Sequence, residues 1–166
     1  MKIFLKILLI TSFFVFFSNQ LKAQKQSDDR LAAQYFDNKE YDKAVIFYEK
    51  LFDKTHSSAY YVRLLTCFTE LKEYNNAEKL IKREIKNFPY QLEFWTDLGN
   101  LYQLSGDESN SKQAYEKAIK LLSPNNEQIM ALANGFLKYR ETEYAIQTYI
   151  KGKKLVNGSY PFNFEL

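Results

Sequence analysis

Leu31, Leu64, Leu98 and Leu132 recur at steps of 33, 34 and 34 along the chain. The same intervals separate Tyr35, Phe68, Tyr102 and Phe136, then Ala44, Ala77, Ser111 and Ala145, then Tyr48, Ile81, Tyr115 and Tyr149. Four columns in one register make the chain a repeat array. That limits the fold more than any other feature, because a single repeat of this length cannot bury its own apolar face and must stack on its neighbours.

Within each repeat the apolar residues recur at helical steps. Trp95, Leu98 and Tyr102 share one helix face, and Ser111, Ala114, Tyr115, Ala118 and Leu122 share another. Between them Ser105-Gly106-Asp107 supplies a glycine stop and an acidic helix start, and Pro124 closes the second helix. Equivalent turns fall at 37–41, 71–75 and 139–143, and short segments at 55–58, 87–90 and 123–126 join one repeat to the next. Such lengths suit packed helices. Five Gly and three Pro in 166 residues leave too few turn residues for an all-β design.

The period, together with Trp95-x2-Leu98-Gly99-x2-Tyr102, resembles the tetratricopeptide repeat. Ser111, Tyr115 and Ala118 match the later Ala, aromatic and Ala slots of that pattern, and the first repeat departs from it, with Asp28 in the Trp slot. The resemblance implies an all-α fold, a right-handed superhelical array of antiparallel helix pairs. About four repeats are expected over 24–159, at 25–57, 58–91, 92–125 and 126–159. Small residues at Ala32, Gly99 and Ala133 would let neighbouring helices approach. Leu166 lies one full repeat after Leu132, so 160–166 reads as the start of a truncated fifth repeat or as a C-terminal tail over the last one.

The segment 1–23 differs from the rest. Lys2 and Lys6 precede an apolar run, Ile7 to Phe17, interrupted only by Thr11 and Ser12, and the polar Ser18-Asn19-Gln20 follows. This is the three-part pattern of a secretory signal peptide, with cleavage expected after Ala23. The run falls short of the ~20 apolar residues of a bilayer span, and an uncleaved N-terminal anchor is the competing reading. Outside Lys2, Lys6 and Lys22 the chain carries 20 Lys+Arg against 20 Asp+Glu. A neutral body offers no footprint for a phosphate backbone, so nucleic acid is not an expected partner.

Nothing in the chain assembles a reactive centre. Cys67 is the only Cys and His56 the only His, and they lie on a helix and in a loop. A nucleophile needs an activating base, and a zinc site needs three or four ligands. No catalytic residue, metal ligand or cofactor is expected, and the acid pairs Asp28/Asp29 and Glu70/Glu73 read as helix-start or solvated charges.

A surface remains. The family resemblance implies that the first helices of the repeats line a concave groove that holds a protein or peptide segment. Projected onto this chain, the groove shows Phe36 and Ala33, then Val62, Thr66 and Thr69, then Thr96, Asn100 and Gln103, then Met130, Asn134 and Leu137. Threonine and amide groups would pair with the main chain of an extended segment, with Phe36, Met130 and Leu137 as apolar anchors. Some family members clamp a C-terminal carboxylate with Lys, Asn and Arg. Here Asn100 and Asn134 hold Asn-like slots, but Thr96 and Met130 stand where the Lys would be, which argues against that clamp.

The expectation is an exported, non-enzymatic scaffold or adaptor, bacterial and periplasmic, envelope-associated or secreted, with no membrane contact beyond the first segment. The alternative is an N-terminal module of a larger envelope-associated protein whose catalytic or envelope-binding domain lies elsewhere. Sequencing the mature protein by mass spectrometry should place its N-terminus at Gln24; an intact Met1 on membrane-bound protein would establish the anchor instead.

Overall fold

A computed structural model of the chain describes residues 27–156, which form eight helices and, among the described residues, no strand. Helix α1 covers 27–37, α2 Tyr41–Thr55, α3 Ser58–Glu70, α4 Tyr74–Asn87, α5 Glu93–Leu104, α6 Glu108–Lys120, α7 Asn126–Lys138 and α8 Thr142–Leu155. The signal-peptide reading of 1–23 and the fifth-repeat or tail reading of 160–166 lie outside the described residues. The chain divides into two compact units, Met1–Leu71 and Lys72–Leu166. Their described parts hold α1–α3 and α4–α8.

In the first unit, Ala32 and Ala44 are fully buried and bring α1 and α2 together. Aromatic rings fill the remaining space. Tyr35 stacks on Phe47 at 5.7 Å, and Phe52 lies 6.1 Å from Tyr61. Asp28, the carboxylate in the Trp slot, is buried, and Lys50 Nζ approaches its Oδ2 to 2.6 Å. An unpaired charge there would be strongly unfavourable, so the departure from the family pattern is matched by a cation on α2.

The turn inside each repeat follows one rule that the sequence displays only once. Lys39, Lys72, Gly106 and Arg140 all have positive φ, at 62°, 58°, 83° and 63°. At three of them the helix ends in a Schellman motif. Lys39, Gly106 and Arg140 donate their N–H to Phe36, Gln103 and Leu137, and the next residue donates to Tyr35, Tyr102 or Phe136. These bonds satisfy carbonyls that the helix end leaves open. Glycine adopts this conformation without strain; a residue with a side chain gives up about 1–2 kcal/mol there.

The second unit is organised around Tyr115 on α6. Its ring is buried, edge-on to Phe136 of α7 at 5.3 Å, and 5.0 Å from Tyr144 of α8. Leu92, Ala118, Leu122, Ile129, Leu132, Ala133 and Ala145 close the core, with Trp95 packed partly buried against it. Gly99 of α5 makes room for the ring: a Cβ there would overlap Tyr115 Cε1. Helix α6 stops at Lys120, four residues before Pro124 and earlier than the apolar pattern suggests. The residue before a proline disfavours helical backbone, and Ser123 instead gives its N–H and hydroxyl to Gln128 Oε1 at 2.9 and 2.6 Å. Leu122 is nonetheless buried beyond the helix end. Asp107 and Asn125 cap α6 and α7 by accepting from the amides of Asn110 and Gln128 at 3.1 and 2.9 Å. Lys151 Nζ donates to the Ile119 and Lys120 carbonyls at the far end of α6.

Gly→Ala inside a helix normally stabilises by about 1 kcal/mol. At Gly99 the sign should reverse: Gly99→Ala should lose about 1–3 kcal/mol in urea unfolding, because the ring must shift to admit a methyl. Gly106→Ala meets no atom within 4 Å and should lose only about 1 kcal/mol, from its positive φ alone.

Candidate functional site

The candidate face lies on the first helix of each repeat. In the first unit Phe36 is half-buried rather than an open anchor. It meets Tyr41 and Tyr48 edge-on, and the Arg63 guanidinium sits 4.3 Å from its ring. Such a cation over an aromatic face is itself favourable. Val62 is exposed. Thr66 and Thr69 are half-buried and donate their hydroxyls to Val62 O and Thr66 O, both at 2.9 Å. A threonine that bonds back into its own helix has no proton left for a partner's carbonyl.

In the second unit the sequence expectation needs a correction at Thr96. Its side chain is 0% exposed, donates to Glu93 O at 2.7 Å, and lies against Gly135 of α7. A Cβ on Gly135 would fall 2.8 Å from Thr96 Oγ1, so this threonine is part of the α5–α7 contact and cannot touch a partner. The family resemblance projected it into the groove; the close approach of α7, permitted by Gly135, covers it.

Gln103 is exposed, yet both ends of its amide are engaged. Its Nε2 donates to Glu141 Oε1 at 2.8 Å, and its Oε1 accepts from Tyr115 OH at 3.3 Å. Asn100 is half-buried and Asn134 exposed, and among the described residues neither side chain has a hydrogen bond. Met130 and Leu137 are exposed, one turn to either side of Asn134 on α7. The structure thus leaves Asn100 on α5 and Met130, Asn134 and Leu137 on α7 at least partly exposed, on two helices that pack together. It adds Leu104, which sequence reasoning passed over. Leu104 is 52% exposed, and its signal was available: it stands four residues after Asn100, on the same side of the helix.

A buried polar node borders this face. Asp97 on α5 accepts from Lys138 Nζ at 3.0 Å and from Tyr139 OH at 2.5 Å. Burial, and after it the Asp97 carboxylate, push the Tyr139 phenol well above its ordinary value. Lys138 is a cation on the face, but its charge is opposed at contact distance by Asp97. The face therefore presents amides and apolar side chains with little net field.

Elsewhere the reactive residue types have structural duties. Cys67 is fully buried, and burial pushes its thiol up to about 12, far from the thiolate that a nucleophile requires. His56 ends α2 in the left-handed region at φ 48°, its N–H donating to Phe52 O. Among the described residues no group of three His, Cys, Asp or Glu could hold a metal ion, and no helix is long and apolar enough to cross a membrane.

A family model described as tetratricopeptide repeat matches residues 17–150. Among curated proteins no match was found. Among solved structures, one of MamA is 19% identical over 84% of each chain, with a TM-score of 0.47. Another MamA structure is 16% identical over 81% of this chain and 74% of that one, at 0.47. The thermophilic TPR protein TTC0263 of Thermus thermophilus is 17% identical over 81% of this chain and 93% of its own, at 0.36. Likeness at this level says nothing of what the chain binds.

Replacing Asp97 by Asn should weaken the second unit, by about 1–3 kcal/mol in denaturant melts, because two donors lose a charged acceptor. The native state holds the Tyr139 proton more tightly than the unfolded chain does. That stabilisation is complete below the ordinary phenol value of about 10 and is lost as the pH rises beyond it. Tyr139→Phe should therefore flatten part of the alkaline decline that the wild-type protein shows.

Proposed function

The chain belongs to the tetratricopeptide-repeat family, and from that premise we propose that it is a protein–protein interaction scaffold that takes a protein segment on its α5–α7 face. Proteins of this family bind protein partners and are generally non-catalytic. The observation that carries the reading is the pairing of uncommitted and apolar groups: Asn100 and Asn134 beside Leu104, Met130 and Leu137. An amide can donate and accept at once, so each Asn can pair with the main chain of an extended segment as a neighbouring residue would. The leucines and the methionine supply apolar contact, and methionine adapts to irregular shapes. With Lys138 opposed by Asp97, neither a terminal carboxylate nor an acidic stretch gains a particular hold.

Export belongs to the same proposal. Lys2, Lys6 and the apolar run before Ala23 support delivery of the repeats to the periplasm, the envelope or the exterior of a bacterium.

The reading is tested with peptides selected against the protein from a random displayed library, their affinities then measured for wild type, Asn100→Ala and Asn134→Ala. At least one substitution should weaken binding about tenfold, which is 1.4 kcal/mol. Raising the salt should change affinity by a factor of about three or less, since no opposite charges are brought together. Affinity unchanged by both substitutions would overturn the proposal.

A further inference from the structure

Outside the first segment the chain carries equal numbers of acids and bases, yet in the second unit they are sorted by position. Helices α4, α6 and α8 begin at Tyr74, Glu108 and Thr142, so their residues compare one to one at a spacing of 34. Toward their ends one slot holds Arg83, Lys117 and Lys151, and the slot three residues on holds Lys86, Lys120 and Lys154. Lys151 is half-buried and the others are exposed. A cation in the last turn of a helix is favourable anywhere, but that effect fades beyond the turn. It does not account for Arg83 and Lys151, which stand earlier, and α3 and α5 end without a basic residue.

Hydrogen bonds join these three helix ends into one edge. Gln128, at the start of α7, donates from Nε2 to Tyr90 O at 2.8 Å, and its Oε1 accepts from Ser123. Its amide thus ties the connection after α4 to the connection after α6. Lys151 of α8 reaches the Ile119 and Lys120 carbonyls at 2.7 and 3.1 Å, which brings the end of α6 against α8. The acids at this edge are fewer. Glu93 and Glu127 open α5 and α7, and Glu84 is buried with Arg83 Nε at 3.5 Å.

The same edge exposes apolar surface. Phe88 and Tyr90 follow α4 and Leu121 follows α6, and they are 40%, 83% and 42% exposed. Cations beside exposed rings suit a surface with anionic groups outside and an apolar layer just beneath, which is what an anionic bilayer presents. An acidic polypeptide offers the charge without the layer. A single-stranded nucleic acid offers bases to stack, but Leu121 has no ring and Phe88 already tilts against Phe94 at 6.4 Å. We propose that this edge of the second unit lies on an anionic lipid surface, held by its lysines and by Phe88, Tyr90 and Leu121 at headgroup level. The contact is peripheral, and it departs from the sequence expectation that nothing beyond the first segment meets a membrane.

The test uses the full chain with an acrylodan label, whose emission reports the polarity around it, on Tyr90→Cys. A control label goes on Glu108→Cys at the other end of α6, and the fully buried Cys67 stays in place. Vesicles are phosphatidylcholine alone, or with about one third phosphatidylglycerol. Each label reads its own surroundings, so attachment through the first segment does not by itself shift it. On anionic vesicles the label at 90 should shift to the blue while the label at 108 does not. Adding Lys117→Glu with Lys120→Glu should raise the lipid concentration needed about tenfold. Equal shifts at both positions, an equal shift on neutral vesicles, or no shift would overturn the proposal. A shift of the same size with polyglutamate or oligodeoxythymidine would overturn it too, and would give the edge to a dissolved polyanion. Lysine acetylation of the unaltered chain, read by mass spectrometry, is independent of any substitution. Anionic vesicles should slow the reaction at Lys120 and Lys154 about threefold relative to Lys72 and Lys112; uniform rates would sink the proposal.

Discussion

The second unit depends on one close fit, the ring of Tyr115 in the notch left by Gly99. The ring is where α5, α6, α7 and α8 meet: Gly99 beneath it, Phe136 edge-on, Tyr144 beside it, and its hydroxyl on Gln103. Close packing of this kind leaves no space for an added methyl and transmits any shift to its neighbours. The position of α7 against α5, and with it the spacing of Asn100 and Asn134, follows from this fit and from the second small-residue contact, Gly135 on Thr96.

The candidate face is what remains after the fold has taken its share of hydrogen bonds. Thr66, Thr69 and Thr96 donate into their own helices, Gln103 bridges Tyr115 and Glu141, and Lys138 answers Asp97. Residue types that look alike on a helical wheel therefore differ in what they can offer. Two asparagines and three apolar side chains keep their capacity for a partner, in a setting of little net charge. Geometry of this kind favours selection by shape and main-chain pairing over electrostatic attraction.

Much of the architecture could be read in advance. The four repeating columns foretell helix pairs, and the helices that form start and stop close to the turns that Gly106, Asp107 and Pro124 announce. The left-handed turns at Lys39, Lys72 and Arg140 were hidden, because a basic residue carries no signal for positive φ; only Gly106 declared it. The Asp97–Lys138–Tyr139 node was hidden as well. Asp97 stands more than a full repeat from Lys138 and Tyr139, and no local pattern links it to them. Of the candidate face, Asn100, Met130, Asn134 and Leu137 were named by projecting the family resemblance onto the repeats, and Thr96, named with them, is buried for a reason that such a projection cannot express.

Periodicity is a property of single helices, so the sequence by itself determined which residues share a face and that successive faces must stack. It determined the all-α class, the repeat length and the slots of Trp95, Gly99 and Tyr115. What only the tertiary structure decided is which of those faces stays open. That depends on how closely two helices approach, and the approach is set by contacts between residues distant in the chain, Gly135 with Thr96 and Gly99 with Tyr115 among them. A fraction of an ångström at such a contact separates a side chain that can meet a partner from one that is part of the wall.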